Sequence, residues 1–401
     1  MSEVLLAELC ELVVDCKNRT PPEATSGETP VGFAIGTSDI VDGRIRLDNA
    51  KRVSQKTFDI WTARAVPREG DIVLTREAPV GRVGRVEAGM KICLGQRTML
   101  LRPHKDRCDS RFLHYFLLSP EVQQRLHAQA SGSTVPHLPV KEVRELRVPK
   151  VPNISVQRAI GSALGALDDK IAVNERIAAT YERLFQCKFQ RLGLAEEPGE
   201  DDRIPITDLV AFNPKVEKPS VGEPVYVDMA ALQTNRATIP VWTRRAPKSG
   251  TRFMNGDTLM ARITPCLENG KVGYVDFMED GEVGLGSTEF IVIRSHPEIP
   301  KELSYFLARD RRFREHAIRN MVGSSGRQRV NAADLSKYFV RKPDAQALAA
   351  FGKEVSAAFA HMRSLAAESR TLAALRDTLL PELISGRIRV KDAEQIVEDV
   401  T

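Results

Sequence analysis

Apolar positions along this chain follow two periods, and each period occurs twice. From Val156 to Leu192 the residues Ile160, Leu164, Leu167, Ile171, Asn174, Ala178, Tyr181 and Phe185 step alternately by four and three. That alternation is a heptad seam, the stripe one helix presents to another. Ser155 stands where an N-cap belongs and Gly193 where a helix stops. Leu348, Phe351, Val355, Ala358, Met362, Leu365, Ser369, Leu372, Arg376 and Leu379 repeat the alternation, with Pro381 as its expected end. Two ordinary amphipathic helices, each docked on its own module, would not need seams this long. The pattern therefore predicts that the two helices pair as an antiparallel coiled coil. A helix of about 37 residues is about 55 Å long, so the expectation is a rod with a module at each end. B-DNA repeats every ~34–36 Å, so two such heads could address two half-sites on one duplex.

Ahead of each long helix the period shortens to that of strands. Asp71–Leu74, Val83–Glu87 and Thr98–Arg102 are short, apolar or β-branched, and separated by Gly or Pro. Thr258–Ala261, Gly273–Asp276 and Glu289–Arg294 match them. Helical segments follow at Ser110–Leu118 and Glu121–Gln129, and again at Lys301–Leu307 and Arg311–Met321. The matches extend to single residues. Gly70-Asp71-Ile72-Val73-Leu74-Thr75-Arg76 aligns with Gly256-Asp257-Thr258-Leu259-Met260-Ala261-Arg262, Leu94-Gly95 with Leu285-Gly286, and Gly132-Ser133 with Gly323-Ser324. A nearly constant offset over many short matches marks a duplication. The fold class expected is α+β: two duplicated mixed α/β modules joined by a long antiparallel coiled coil. The boundaries read are 1–153, 154–203, 204–343 and 344–401.

Charge follows the same division. The four segments hold 23 Lys/Arg against 19 Asp/Glu, 7 against 9, 21 against 16, and 7 against 9, which makes them +4, −2, +5 and −2. The modules are mildly basic and the helical segments mildly acidic. Such an excess is weak support for a nucleic-acid partner when taken alone. With 42% hydrophobic and 28% charged residues, the chain has the material for real cores. No apolar run approaches the ~20 residues of a membrane span. Met1–Cys16 lacks a basic region and carries Glu3, Glu8 and Glu11, which argues against a secretory signal. The six cysteines form no CxxC pair, so reduced thiols, no metal site and a cytoplasmic setting are expected.

Catalytic constellations are missing from the sequence. It contains no P-loop, no GxGxxG and no HxxxH. Asn213-Pro214-Lys215 is not the Asn-Pro-Pro-aromatic string that an amino-methyltransferase uses on a flipped base. Candidate contacts to nucleic acid lie in two loops. Gly323-Ser324-Ser325-Gly326-Arg327-Gln328-Arg329 combines glycines, which let backbone approach a phosphate, with Arg and Gln, which suit guanine and adenine edges. The same string reads equally well as a surface loop with a solvated Arg pair. Its counterpart, Ser131-Gly132-Ser133-Thr134-Val135-Pro136-His137, is less basic. Arg76 and Arg262 follow equivalent strands; each is either a structural bridge to a carboxylate or half of a shared binding role. Asn174 and Ser369 are polar within the seams, where such residues fix register. Asp168-Asp169-Lys170 is either a solvated helix face or a contact for a partner helix. Core packing is expected for Trp61 and Trp242.

These residues resemble the specificity (S) subunits of type I restriction-modification systems. The resemblance lies in Gly70–Thr75, Gly132–Leu138 and Ala166–Ile171 with Asn174, and in Gly256–Leu259, Ile263–Lys271, Ser287–Phe290, Gly323–Val330 and Leu379–Gly386. It implies that segments 1–153 and 204–343 are target-recognition domains, each reading half of a bipartite sequence in double-stranded DNA. Taken with the loops and strand ends above, the expected DNA contacts are Arg76, Ser133, Thr134, His137, Arg262, Ser325, Arg327, Gln328 and Arg329. The resemblance implies docking of two modification (M) subunits through the long helices, around Asp168, Asp169, Lys170 and Asn174. No cofactor would belong to this chain: S-adenosylmethionine would sit in the M subunits. ATP and Mg2+ would sit in a restriction (R) subunit, which the resemblance allows without requiring. The chain departs from the family pattern in carrying Ser369 and Arg376 on its second seam. A non-catalytic two-headed scaffold for protein or RNA is the alternative.

Overall fold

The structure, a computed structural model, describes residues 3–132, 135–148, 151–246, 249–324 and 326–400, with side chains up to 397. The chain divides into two compact units, Met1–Lys170 with Leu372–Thr401, and Ile171–Thr371.

The first unit is built on a six-stranded sheet in the order Cys10–Asp15, Thr98–Pro103, Ile72–Arg76, Val80–Arg85, Arg44–Ile45, Ile40–Val41. Every residue of Ile72–Arg76 is buried, as a central strand covered on both faces requires. The helix Ser110–Leu118 packs on this strand and on Val80–Arg85. On another face Val73 and Leu100 join Ile35, Ile40, Ile45, Val86, Ile92 and Leu94 in one core. A three-stranded sheet, Lys51–Ser54, Pro30–Ile35 and Ile92–Leu94, completes the unit's larger β structure, and its last pair is parallel.

The second unit repeats the plan with shorter strands. Its first sheet runs Val210–Phe212, Phe290–Ser295, Thr258–Ala261, Val272–Tyr274, and its second Thr243–Arg244, Val225–Val227, Gly284–Gly286, Thr251–Phe253. The equivalent parallel pair, Val225–Val227 with Gly284–Gly286, is present. The helices Leu303–Arg309 and Arg311–Arg319 correspond to Ser110–Leu118 and Pro120–Gln129. Both units are α+β, as expected.

One motif explains why the sheets are alike. Gly70 and Gly256 adopt φ of +87° and +93°, a left-handed conformation that glycine accepts without a side-chain penalty. This turn delivers Asp71 and Asp257 into equivalent pockets. Asp71 takes two hydrogen bonds from Arg102, from Nε at 2.8 Å and Nη2 at 2.7 Å, and one from the Arg68 amide at 2.9 Å. Asp257 takes the same three from Arg294 Nε at 2.6 Å, Arg294 Nη2 at 2.7 Å and the Met254 amide at 2.7 Å. The carboxylates are 2% and 0% exposed, so pairing is what makes their burial tolerable.

The long helices are Ile154–Arg191 and Ala345–Ser385. No seam position of either is exposed. Within the second unit their pairing is antiparallel: Asn174 meets Ser369, Tyr181 meets His361, Phe185 meets Phe351, and Lys188 meets Glu354. Phe185 and Phe189 share a core with Leu348, Phe351, Val355, Phe359 and Met362. Within the first unit the departure noted at Arg376 has a partner, since Arg376 Nη1 binds Asp168 Oδ1 at 2.6 Å.

Two helix-end expectations need correction. The N-cap is Asn153, not Ser155. The Val156 amide donates to Asn153 Oδ1 at 3.0 Å, and the Ser155 hydroxyl donates to the same oxygen at 2.6 Å. Pro381 does not end the second helix, which continues to Ser385. A proline removes its own donor, but the residues after it keep theirs. The stop is Gly386, at φ +73°, where the Arg387 amide caps the Glu382 carbonyl at 3.0 Å. Trp61 and Trp242 are half-buried. The Trp61 indole donates to the Arg19 carbonyl at 3.2 Å, and Trp242 stacks on Phe277 with centroids 4.1 Å apart.

Candidate nucleic-acid interface

In each unit the candidate arginine and the candidate loop are neighbours, because the backbone ties them together. Arg76 ends a central strand. Its amide donates to the Arg97 carbonyl at 2.8 Å, and its carbonyl accepts from Leu138 at 2.9 Å. Arg262 does the same with Glu289 at 3.0 Å and Val330 at 3.0 Å. Each loop is a narrow hairpin. Ser131 pairs with His137 and Val322 with Arg329, and the returning arms bridge to Glu77 and Ile263. Gln328 is fastened at its backbone: its amide donates to Thr264 Oγ1 at 3.1 Å and its carbonyl accepts from Thr264 at 3.0 Å. Ser133, Thr134 and Ser325 lie outside the described residues.

The arginines are only partly committed. Arg76 Nη2 lies 3.4 Å from Asp15 Oδ1 and its side chain is 10% exposed. Arg262 Nη2 donates to Asn331 Oδ1 at 2.9 Å. In both, Nε is buried without a hydrogen-bond partner among the described residues.

At the hairpins the units differ in charge. In the second, each guanidinium nitrogen of Arg329 has a partner: Nε and Nη2 reach Glu289 at 2.7–2.9 Å, and Nη1 reaches the Arg327 carbonyl at 3.3 Å. These bonds hold the Glu289 carboxyl below its ordinary range and raise the guanidinium. Arg327 is exposed, and its side chain has no partner among the described residues. In the first unit the residue equivalent to Glu289 is Arg97. Its Nε lies 3.3 Å from Glu77 Oε2, while Glu77 Oε1 lies 2.5 Å from His137 Nδ1. Glu77, Arg97 and Glu289 were not among the residues anticipated from sequence. The signal that finds Arg97 and Glu289 is the strand-end position they share in the two copies, while Glu77 stands where the second copy has Ile263.

The helix residues divide. Asp168 is drawn into the first unit's interior, where it accepts from Tyr115 Oη at 2.6 Å and from Arg376, with Arg44 alongside at 3.6 Å. Asp169 is 65% exposed and meets Arg111 at 3.1 Å. Lys170 is exposed. Asn174 is 2% exposed, and its Nδ2 donates to Glu368 at 2.8 Å and to Ser369 at 3.3 Å. Among the described residues no group of three or more His, Cys, Asp or Glu side chains could hold a metal ion, and no helix is long and apolar enough to cross a membrane.

Residues 3–183 match the family model of the type I restriction modification DNA specificity domain. The chain is 21% identical over 375 residues to the type I restriction enzyme MjaIX specificity subunit of Methanocaldococcus jannaschii, covering 85% of this chain and 83% of that protein. It is 29% identical over 132 residues to the EcoAI specificity subunit of Escherichia coli, where the match spans 31% of this chain and 22% of that protein. The crystal structure of the type I restriction-modification system S subunit from M. genitalium superposes with a TM-score of 0.52 at 16% identity, covering 95% of both chains, a likeness of fold. The chain is thus similar to type I restriction-modification specificity subunits, by the domain model over residues 3–183 and by sequence over most of its length.

Proposed function

We propose that this chain is the DNA-reading subunit of a type I restriction-modification complex. Each module reads one half of a bipartite target in duplex DNA. The long helices set the spacing and dock two M subunits. The observation that carries this reading is a shared scaffold with different side chains at its rim. The same Gly-Asp turn, sheet and arginine-ended strand occur twice, while the hairpins carry His137 in one copy and Arg327, Gln328 and Arg329 in the other. Reading two unlike half-sites requires that combination.

Binding to duplex DNA then draws on Arg76 and Arg262 at the strand ends and on the two hairpins, including Ser133, Thr134 and Ser325. Docking of the M subunits draws on exposed Asp169 and Lys170, with Asp168 and Asn174 holding the helices behind them. The chemistry is left to partners: S-adenosylmethionine and adenine methylation to the M subunits, ATP and Mg2+ to R subunits where these join. The complex works on chromosomal DNA in the cytoplasm. Mapping methylated adenines in DNA from cells expressing the chain with its M subunit tests this. A two-part motif interrupted by an unread spacer is expected. Methylation at an uninterrupted motif, or methylation that persists when this chain is deleted, overturns the reading.

A further inference from the structure

Beside the first hairpin lies an open groove of about 350 Å³, within the first unit. Its walls include Thr37, Ser38, Asn49, Lys51, Gln96 and Arg97. The groove and the hairpin are one surface, because the Thr37 hydroxyl donates to the Ala78 carbonyl at 2.9 Å and Arg97 reaches Glu77. This wall carries two cations, Lys51 and Arg97, and one carboxylate, Asp39, whose Oδ2 accepts from the Gly36 amide at 2.8 Å. Part of it comes from the segment 37–51, which lies outside the residues matched between the two copies. A duplicated reader must differ between copies where it reads.

Arg97 is the side chain in this groove best prepared for a base. It stands in the tight turn between Ile92–Leu94 and Thr98–Pro103, at φ +73°, a backbone conformation that side-chain-bearing residues rarely adopt. Such backbone persists where its surroundings over-determine it, and it gathers at binding sites. Here the turn is closed by the Thr98 hydroxyl on the Gly95 carbonyl at 2.8 Å. The guanidinium forms an ion pair through Nε with Glu77 Oε2 at 3.3 Å, and Glu77 Oε1 lies 2.5 Å from His137 Nδ1. The two terminal nitrogens have no partner among the described residues, and the side chain is 44% exposed. A fork held from behind with its tines open is the geometry that takes guanine O6 and N7 together in the major groove. In the second unit the same strand-end position is Glu289, and the arginine there has both its Nε and its Nη2 edge consumed.

We infer that Arg97 reads a guanine in the half-site of the first module, with Glu77 and His137 as positioning residues that aim its guanidinium. The inference rests on the function proposed above. It gives His137 a different part from direct DNA contact, since His137 acts through Glu77.

The test uses the full chain purified with its M subunits and a randomised duplex library, from which bound duplexes are selected and sequenced. The wild-type complex should return a two-part motif. R97A and R97K should each lose a guanine preference at one position of one half-site, with affinity for the wild-type-selected duplex down about 10- to 100-fold. The other half-site, unchanged, reports a folded complex. R97K keeps the charge, so its affinity for unrelated duplexes should stay at the wild-type level. E77Q should weaken the same position and add nothing in the R97A background, which a merely structural role would not produce. An unchanged motif in R97A, equal losses on selected and unrelated duplexes, or losses at both half-sites overturn the inference while leaving the proposed function standing. No motif from the wild-type complex overturns the proposed function itself.

Discussion

Both modules place an arginine beside the same hairpin, and the two side chains are similarly exposed, 44% for Arg97 and 41% for Arg329, yet their terminal nitrogens are committed differently. Arg329 spends its guanidinium on Glu289 and on its own loop, whereas Arg97 is held at Nε alone. The net charges of the modules, +4 and +5 by segment, do not show this difference. Charge count measures attraction to a polyanion, while availability of donors decides whether a base is read. The comparison also separates two kinds of shared position. Asp71 and Asp257 are the same residue doing the same work in both copies. Arg97 and Glu289 share a backbone position and carry opposite charges. The first kind builds the scaffold and the second kind distinguishes the copies.

The largest expected effect bears on the scaffold. D71N and D257N keep the shape of the side chain and remove its charge. The first leaves Arg102, 16% exposed, facing an amide; the second leaves Arg294, 31% exposed. Loss of one partner of a buried pair costs ~3–5 kcal/mol, and water at the surviving partner reduces that. The expected destabilisation is about 3 kcal/mol for D71N and about 2 kcal/mol for D257N, read from urea unfolding of the full chain. If either costs less than about 1 kcal/mol, the two carboxylates are not the shared pillars described here.

Much of that scaffold was legible in the sequence, and the reason is periodicity. The 4–3 seam survives on both long helices as a stripe with no exposed position, because helical pairing imposes a fixed period on the chain. The duplicated Gly-Asp turn is equally local: one glycine, one carboxylate and a strand. What escaped was decided by partners distant in the chain. Arg97 meets Glu77 across 20 residues of sequence and Glu77 meets His137 across 60. No local pattern encodes which of several arginines finds a carboxylate. Asp168 shows the same limit: its helix face suggested solvent or a partner, while Tyr115 and Arg376 draw it inward. The N-cap was displaced by two residues because Asn153 and Ser155 are both competent caps, and only the first turn's geometry chooses between them.

The next effect sharpens the contrast within the second hairpin. Arg327 is exposed and open, so it is expected to neutralise a phosphate. R327A should weaken binding of the assembled complex to cognate and unrelated duplexes alike, by about tenfold at moderate salt. It should also reduce the slope of log affinity against log salt by about one. R329A combined with E289Q should leave that slope unchanged, since the pair it removes carries no net charge. Should R327A instead relax a single base of the second half-site and spare unrelated duplexes, Arg327 is a reader and the two hairpins are more alike than their ion pairs suggest. No change in either variant would leave the loop a structural part.

The smallest effect sets the interiors of the two units against each other. In the first, His114 is 6% exposed and burial pushes its pKa down from 6.5 to about 4, against the pull of Asp168. In the second, burial pushes the Asp276 carboxyl up from 3.8 to about 6, against Arg363 and Arg370. Between pH 6.5 and 4 the unfolded chain binds a proton at His114 that the folded unit refuses, so acidification weakens the first unit. Between pH 6 and 3.8 the folded chain holds a proton at Asp276 that the unfolded chain releases, so acidification strengthens the second. Over the step from pH 6 to pH 5 each group contributes about 1 kcal/mol, with opposite signs. Urea unfolding at the two pH values reads the balance against the rest of the chain's carboxylates. H114L should remove part of the loss on acidification, and D276N should deepen it. Equal pH dependence in H114L and the wild type would mean that this histidine is protonated as readily folded as unfolded. Its buried place beside Tyr115, with Nδ1 unpartnered among the described residues, argues that it is not.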